Sequence, residues 1–211
     1  MTDFPPQFRV IETLRWSANT GALRQERHLA RMARTCCDLD LPFPEAQLCA
    51  LLENLYAEHD LRVRLTVDAQ GQGRLEHWPL VPTTGDWTIA VSDQRLDSAD
   101  PWLARKTTNR AFYDTARAAL PKGVDELIFL NERGEVCEGT ITNVFVQNGD
   151  AILTPPVSCG LLPGVLRAEL LQTDRACEAV LTLQDMRSSQ VLFCGNSLRG
   201  LIPVRLITSG E

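Results

Sequence analysis

The chain has 211 residues, of which 44% are hydrophobic and 23% are charged, and this composition is typical of an ordinary globular protein. Its formal net charge of −6 argues against nucleic acid or an anionic membrane as a partner, since both attract basic surfaces. No apolar run approaches the ~18 residues of a membrane span, and the first residues lack the basic and apolar parts of a signal peptide, so we expect a cytoplasmic protein.

The first half of the chain predicts a mixture of strands and helices. Residues 8–16 are rich in β-forming side chains and predict a strand. Apolar residues recur at the spacing of an amphipathic helix over 25–39 and again over 44–58. Two further runs, 62–67 and 88–92, predict strands.

A polar, turn-rich stretch at 94–101 is the best candidate for a domain linker. It separates a predicted α+β domain, 1–93, from a strand-dominated domain, 102–211. The second domain is predicted to contain helices over 109–120 and 165–174 and strands over 126–130, 135–146, 151–154, 191–194 and 202–207.

The seven cysteines and three histidines form no recognisable metal or disulfide pattern. The cysteines are odd in number and lack a Cys-x-x-Cys pair, and no two histidines have the spacing of metal ligands. We therefore expect no metal site, and we interpret the cysteines as small core residues.

Lysine is scarce in this chain. Of the 21 basic residues two, Lys106 and Lys122, are lysines and the rest are arginines. An amine can lose its proton and form a Schiff base, whereas a guanidinium stays protonated, so a lysine kept in such a chain is a candidate nucleophile. The alternative is a plain surface lysine, and Lys122, between Pro121 and Gly123, fits that alternative well.

Two other stretches could bind a cofactor. The glycine- and proline-rich loop 160–164 leads into a predicted helix, where the backbone amides of Val165 and Leu166 could hold a phosphate. The alternative is a simple capped helix start. Glu138 lies among apolar and small residues and could partner a protonated ring nitrogen; the alternative is a solvated carboxylate.

Several polar residues have an equally ordinary interpretation. Asn196, Ser197 and Arg199 lie between two predicted strands, where a plain turn would also place such residues. Arg15 and Arg31 read as surface charges, and His28 as a helix-packing or surface histidine. Together, however, one amine, one carboxylate, a phosphate cradle and several arginines match the chemistry of pyridoxal 5′-phosphate (PLP) better than hydrolysis, for which we find no nucleophile–base pair.

These residues fall in segments that resemble, in the same order, those of the class IV (fold type IV) aminotransferase family of PLP enzymes, and within it the aminodeoxychorismate lyases. Each motif is short, but several in one order make a specific signal. The segments are 11–15, 28–32, 106–110, 131–135, 138–145, 154–156, 160–167 and 196–200.

The resemblance implies a fold and a set of site residues. The fold is a small α+β domain followed by a larger barrel-like α/β domain, with the cofactor between them, usually in a homodimer. Lys106 would be the Schiff-base lysine and Glu138 the partner of the pyridine nitrogen. The cofactor phosphate would be bound by Arg31, by the amides of Val165 and Leu166, and by the Ser197 hydroxyl. Two departures are Arg105, where histidine is expected, and the pair Cys36–Cys37.

The activity implied by the resemblance is conversion of 4-amino-4-deoxychorismate to 4-aminobenzoate and pyruvate, a step of folate biosynthesis. Arg15, Arg110 and Arg199 are candidate partners of the two substrate carboxylates, because a guanidinium binds carboxylate bidentately. One alternative is transamination of a D- or branched-chain amino acid with the same residues. Another is a non-catalytic protein that binds PLP or another phosphate.

Overall fold

A computed structural model of the protein describes residues 4–207, and its contacts divide that chain into two units. The smaller unit comprises the residues up to Pro82 together with Arg105–Arg110, and the larger unit comprises Thr83–Ala104 and the chain from Ala111 onward. Among residues 4–207, no helix is both long and apolar enough to cross a membrane.

The smaller unit is a four-stranded antiparallel sheet in the order β2-β1-β3-β4, with helix α1 packed on β1 and helix α2 on β4. Alternate residues of β1 face the core, because side chains of a strand point to opposite faces in turn. The elements are β1 (Arg9–Ser17), β2 (Gly21–Ala22), α1 (Gln25–Asp38), α2 (Glu45–Glu53), β3 (Leu61–Asp68) and β4 (Gly73–Pro79).

A short segment from later in the chain completes this sheet. The Ile11 amide donates to the Lys106 carbonyl at 2.9 Å, and the Thr108 amide donates to the Arg9 carbonyl at 2.9 Å. Thr107 forms the bridge between these bonds, opposite Val10. The lysine singled out in the sequence is therefore held against β1 by its backbone.

The larger unit contains a closed six-stranded barrel in the order β8-β11-β12-β5-β6-β7, which closes where β7 pairs with β8; β9 and β10 extend the sheet beyond β8. Aliphatic side chains of these strands fill its core, Ile128, Val144 and Val146 among them. The elements are β5 (Trp87–Leu96), α3 (Ala111–Ala118), β6 (Glu126–Asn131), β7 (Val136–Gly139), β8 (Asn143–Asn148), β9 (Ala151–Thr154), α4 (Val165–Gln172), β10 (Cys177–Glu178), α5 (Leu183–Ser188), β11 (Val191–Asn196) and β12 (Gly200–Leu206).

This architecture confirms the predicted fold class, a small α+β unit and a larger barrel unit. The unit boundaries differ from the predicted domains 1–93 and 102–211 with a linker at 94–101. Strand β5 runs through Leu96 and belongs to the larger unit, since it pairs with both β12 and β6. The chain also returns to the smaller unit at Arg105–Arg110.

Several predicted elements are corrected. The single strand predicted over 135–146 is wrong, because a turn at 140–142 divides it into β7 and β8. The helix predicted over 44–58 stops after Glu53, where the Asn54 side chain donates to the Ala50 carbonyl at 2.7 Å and caps the last turn. Strands β2, β4 and β10 and helix α5 were not predicted.

Candidate active site

A buried ionic cluster lies in the smaller unit, where α1 packs on β1. Glu12 is on the core-facing side of β1, and Arg31 pairs with it through two hydrogen bonds of 2.7 Å, Nε to Oε1 and Nη2 to Oε2. His28, one turn earlier on α1, places Nδ1 2.7 Å from Glu12 Oε2. All three side chains are buried, so the interpretation of Arg31 as a surface charge is wrong, whereas His28 is a helix-packing histidine.

The cluster fixes the ionisation of its members. Burial by itself would raise the pKa of Glu12, but the charge and hydrogen bonds of Arg31, with help from His28, bring it down from 4.5 to about 2. Burial lowers the pKa of His28 against the pull of Glu12, and the positive charges of Arg31 and Lys106 lower it further. Ionised Glu12 can only accept hydrogen bonds, so the proton between the two groups is bonded to His28 Nδ1.

The lowered pKa of Glu12 predicts acid sensitivity. Its stabilising effect is complete above pH 4.5, the unfolded value, and is lost as the pH falls towards 2, amounting to ~3 kcal/mol. Urea unfolding followed by tryptophan fluorescence between pH 7 and pH 2.5 measures this loss. The variant Glu12→Gln should be less stable at pH 7 and should lose less on acidification; an unchanged pH slope would contradict the assignment.

Lys106 is half-buried in the smaller unit, on the segment bound to the edge of β1. Its ammonium group lies close enough to the cluster to contribute to the lowered pKa of His28. The structure thus brings together two of the predicted site residues, Lys106 and Arg31. Arg105, the departure beside the lysine, lies 3.8 Å from the Asp38 carboxylate. Lys122 is exposed, as its surface interpretation predicted.

Glu138 is buried near the end of β7 in the larger unit, with 6% of its surface exposed. The Tyr113 hydroxyl donates to its Oε1 at 2.6 Å, and the Leu162 amide donates to its Oε2 at 3.0 Å. The interpretation of Glu138 as a solvated strand carboxylate is therefore wrong.

The turn after Glu138 is fixed by a second buried carboxylate, that of Glu126 at the start of β6. Glu126 Oε1 accepts from the Thr140 amide at 2.9 Å and from the Thr140 hydroxyl at 2.5 Å. Its Oε2 accepts from the Ile141 amide at 3.1 Å and from the Thr142 hydroxyl at 3.0 Å. The Arg117 guanidinium lies 3.6 Å away and offsets its charge. Glu126 therefore holds the turn between β7 and β8.

Helix α4 begins beside these strands. Its N-cap, Gly164, makes no side-chain capping bond, and Val165 and Leu166 in its first turn are buried. A Cβ on Gly164 would overlap the Asn143 side chain, whose Nδ2 donates to the Leu162 carbonyl at 2.9 Å. The loop that ends in Gly164 is thereby held against the start of β8, where Asn143 pairs with Glu138.

Ser197 lies in the tight turn between β11 and β12 and is buried. The Asn196 side chain shapes this turn by accepting from the amides of Leu198 and Arg199 at 3.1 and 3.0 Å. A Cβ on the neighbouring Gly195 would lie 3.1 Å from the Leu166 side chain. Glu138, the start of α4 and the Ser197 turn thus converge within the larger unit.

Of the three arginines predicted to bind substrate carboxylates, two belong to the smaller unit and one to the larger. Arg15 pairs with Asp60 through Nε at 2.8 Å and through Nη2. Arg110 is half-buried at the end of the returning segment of the smaller unit. Arg199, in the larger unit, lies over the Trp87 ring, 5.6 Å from its centroid. A substrate role for these arginines stays a prediction.

A sequence model of the family described as amino-transferase class IV matches residues 9–207, nearly the whole chain. The chain belongs to the class IV aminotransferases. The family inferred from the order of the motifs is thereby confirmed, and the match includes both the Lys106 segment and the Glu138 strand.

The relatives of this class IV aminotransferase carry different names. A Mesorhizobium loti protein assigned as an amino-acid aminotransferase has a crystal structure that superposes with a TM-score of 0.90; it is 40% identical, and the match covers 95% of this chain and 100% of that one. A Methanocaldococcus jannaschii protein named a branched-chain-amino-acid aminotransferase is 31% identical over 136 residues, 60% of this chain and 46% of the relative. A Schizosaccharomyces pombe protein named an aminodeoxychorismate lyase is 27% identical over 195 residues, 87% of this chain and 84% of the relative.

Three residues that contact predicted site residues or the turn beside them were not singled out from the sequence: Glu12, Tyr113 and Glu126. Two of them left a signal, since Glu12 stands at a core-facing position of an alternating strand and Glu126 opens an otherwise apolar strand. Either pattern indicates a charge that must be paired inside the protein. Tyr113 left none, because its partner is 25 residues away and meets it only through the packing of α3.

Proposed function

We propose that this class IV aminotransferase is a PLP-dependent lyase that converts 4-amino-4-deoxychorismate to 4-aminobenzoate and pyruvate. The observation that carries the PLP part is the buried Glu138 carboxylate, whose two oxygens are held by the Tyr113 hydroxyl and the Leu162 amide, in a chain of this family. The lyase part is supported by the motif order and by the S. pombe relative named for this reaction, which matches 87% of the chain.

Residues of each unit, taken separately, suit a part of the cofactor. The start of α4 offers backbone amides without a side-chain cap, and the Ser197 hydroxyl lies on the turn beside it, a combination suited to a phosphate. Arg31, which pairs with Glu12 through Nε and Nη2, is the arginine that the family resemblance assigns to the phosphate. When PLP is bound, Glu138 would partner its ring nitrogen and Lys106 Nζ would hold its aldehyde.

When bound, PLP takes up the electron pair that is released as a proton leaves the substrate ring. Lys106 Nζ would hold the cofactor in the absence of substrate and, as a free amine in its presence, would accept that proton. Glu138 keeps the positive charge of the ring nitrogen balanced. Loss of pyruvate then makes the substrate ring aromatic, and no second substrate is consumed. Two carboxylates of the substrate need cationic partners, for which Arg15, Arg110 and Arg199 are the candidates.

A second function, transamination of a branched-chain or D-amino acid, uses the same residues. It is favoured by the M. loti protein assigned as an amino-acid aminotransferase, which is 40% identical over nearly the whole chain. The two reactions differ in one requirement. A transaminase must be regenerated by a keto acid, whereas the lyase needs none.

The deciding experiment is an assay of the PLP-loaded protein with the two substrate sets kept apart. 4-Amino-4-deoxychorismate is supplied without any keto acid, and pyruvate and 4-aminobenzoate are measured. A panel of amino acids is supplied with 2-oxoglutarate, and glutamate is measured. Equimolar pyruvate and 4-aminobenzoate in the first assay support the lyase, and glutamate only in the second supports the transaminase. Silence in both would leave a protein that binds PLP without catalysis.

A further inference from the structure

The Tyr113 hydroxyl, a side-chain donor to the Glu138 carboxylate, has no role in what the family resemblance implies. The Tyr113 hydroxyl lies 2.6 Å from Glu138 Oε1, while the other oxygen accepts from the Leu162 backbone amide at 3.0 Å. The backbone amide is set by the course of the chain, so any residue at 162 except proline could provide it. The phenol depends on tyrosine at position 113.

The ring of Tyr113 is fixed by aromatic neighbours in the larger unit. It lies edge-on to Phe129, with the centroids 5.6 Å apart and the planes at 86°, and edge-on to Phe112 at 5.5 Å. Phe129 is fully buried, so it forms a rigid wall for the tyrosine. Packing of this kind limits the rotation of the ring and keeps its hydroxyl directed at Glu138.

A hydrogen bond donated to a carboxylate favours its ionised form, and a short bond from a hydroxyl to an anion is among the stronger ones in proteins. Burial acts in the opposite direction, since a carboxyl group removed from water tends to become neutral. Glu138 is subject to both effects, because it is 94% buried and bonded to the phenol. The hydroxyl therefore opposes the tendency of burial to neutralise this carboxyl group.

We propose that Tyr113 is a positioning residue that keeps Glu138 ionised, so that the ring nitrogen of a bound PLP keeps its own proton. The inference rests on the proposed function, since it requires PLP opposite Glu138. Between a carboxylate and a pyridine nitrogen one proton can reside on either group. The hydrogen bond from Tyr113 lowers the affinity of Glu138 for this proton. The proton therefore stays on the nitrogen, where it strengthens the ring as an acceptor of electrons.

The test uses the variant Tyr113→Phe, which removes the hydroxyl and keeps the ring packing. The protein is loaded with PLP labelled with ¹⁵N in the pyridine ring, and the chemical shift of that nitrogen reports its protonation without any turnover. We expect a protonated nitrogen in the wild type and a shift towards the unprotonated value in the variant. Turnover should fall by at least ~10-fold with little change in KM, the scale of one lost bond to a charged group.

Two further variants give the lower and upper limits of the expected change in the nitrogen shift. Tyr56→Phe removes the hydroxyl of the other tyrosine in the chain, which is 83% exposed, and should leave both the shift and the turnover as in the wild type. Glu138→Gln removes the partner itself and should give the full unprotonated shift. If Tyr113→Phe is poorly folded, 3-fluorotyrosine at 113, a stronger donor, should move the nitrogen signal in the opposite direction.

The outcomes separate the inference from the proposed function. A wild-type protein that takes up no PLP contradicts the proposed function, and the role of Tyr113 with it. A wild type that binds PLP, with the same nitrogen shift and turnover in Tyr113→Phe, overturns the role of Tyr113 alone. A shift that moves in Tyr113→Phe but not in Tyr56→Phe supports the inference.

Discussion

Replacing Lys106 by alanine is expected to lower turnover by ~10⁴-fold or more, whichever of the two reactions the protein performs. The same amine is assigned both the attachment of the cofactor and the transfer of the substrate proton, so its removal deletes two contributions at once. The measurements are turnover of the PLP-loaded protein and mass spectrometry of its peptides after borohydride reduction. The reduced adduct should map to the peptide that contains Lys106 and should be absent from the variant.

The matched control is Lys122→Ala, since Lys122 is the other lysine of the chain and is exposed. This control variant should retain the adduct at Lys106 and the turnover of the wild type. An adduct that persists in Lys106→Ala and disappears in Lys122→Ala would transfer the nucleophile to Lys122 and would refute the assignment.

Removing the Glu126 carboxylate is expected to destabilise the larger unit by about 3–5 kcal/mol, the cost of breaking a buried, paired charge. In Glu126→Ala, the amides of Thr140 and Ile141 and the hydroxyls of Thr140 and Thr142 lose their common acceptor inside the protein. The turn between β7 and β8 should loosen, and Glu138 with it. Chemical denaturation measures the loss of stability, and amide hydrogen exchange at 139–143 measures the loosening.

Two variants test the explanation of that loss. Glu126→Gln keeps one acceptor oxygen but presents an NH₂ group to donors, so it should be less stable than the wild type and more stable than Glu126→Ala. Arg117→Ala leaves the buried Glu126 carboxylate with its four hydrogen bonds to the turn, so it should cost less than Glu126→Ala. A loss below ~1 kcal/mol in Glu126→Ala itself would show that the carboxylate does not hold the turn.

Much of the architecture was readable from local patterns. Helix α1 was predicted within one residue, because its apolar stripe reflects the face that packs on β1. Strand β4 was missed because five of its seven residues are exposed. Its sequence therefore lacks the alternation of apolar and polar residues that a half-buried strand shows. The break between β7 and β8 was missed for a different reason: Glu126, a residue of another strand, imposes the turn at 140–142.

The candidate site divides in a similar way. Lys106 and Glu138 were predicted as site residues from lysine scarcity, from apolar surroundings and from the motifs that they share with a known family. The polar partners of Arg31 and Glu138 were not predicted, since Glu12 with Arg31 and Tyr113 with Glu138 are separated by 19 and 25 residues and meet only in the folded chain. The three candidate arginines cannot be ordered by their suitability for a substrate carboxylate, because the sequence does not show the surroundings of each guanidinium.

The pairing of Lys106–Thr108 with β1 has a consequence for experiments that divide the protein. The amine-bearing segment is contributed by a stretch between two parts of the barrel unit, yet its backbone partners are Arg9 and Ile11 near the start of the chain. A cut between Pro82 and Thr83 therefore separates Lys106 from its backbone partners, and a cut on either side of Arg105–Arg110 divides the sequence of the larger unit. Slow deuterium uptake at the Thr108 amide, which donates to Arg9, would serve as a local gauge of whether the first strand is in place.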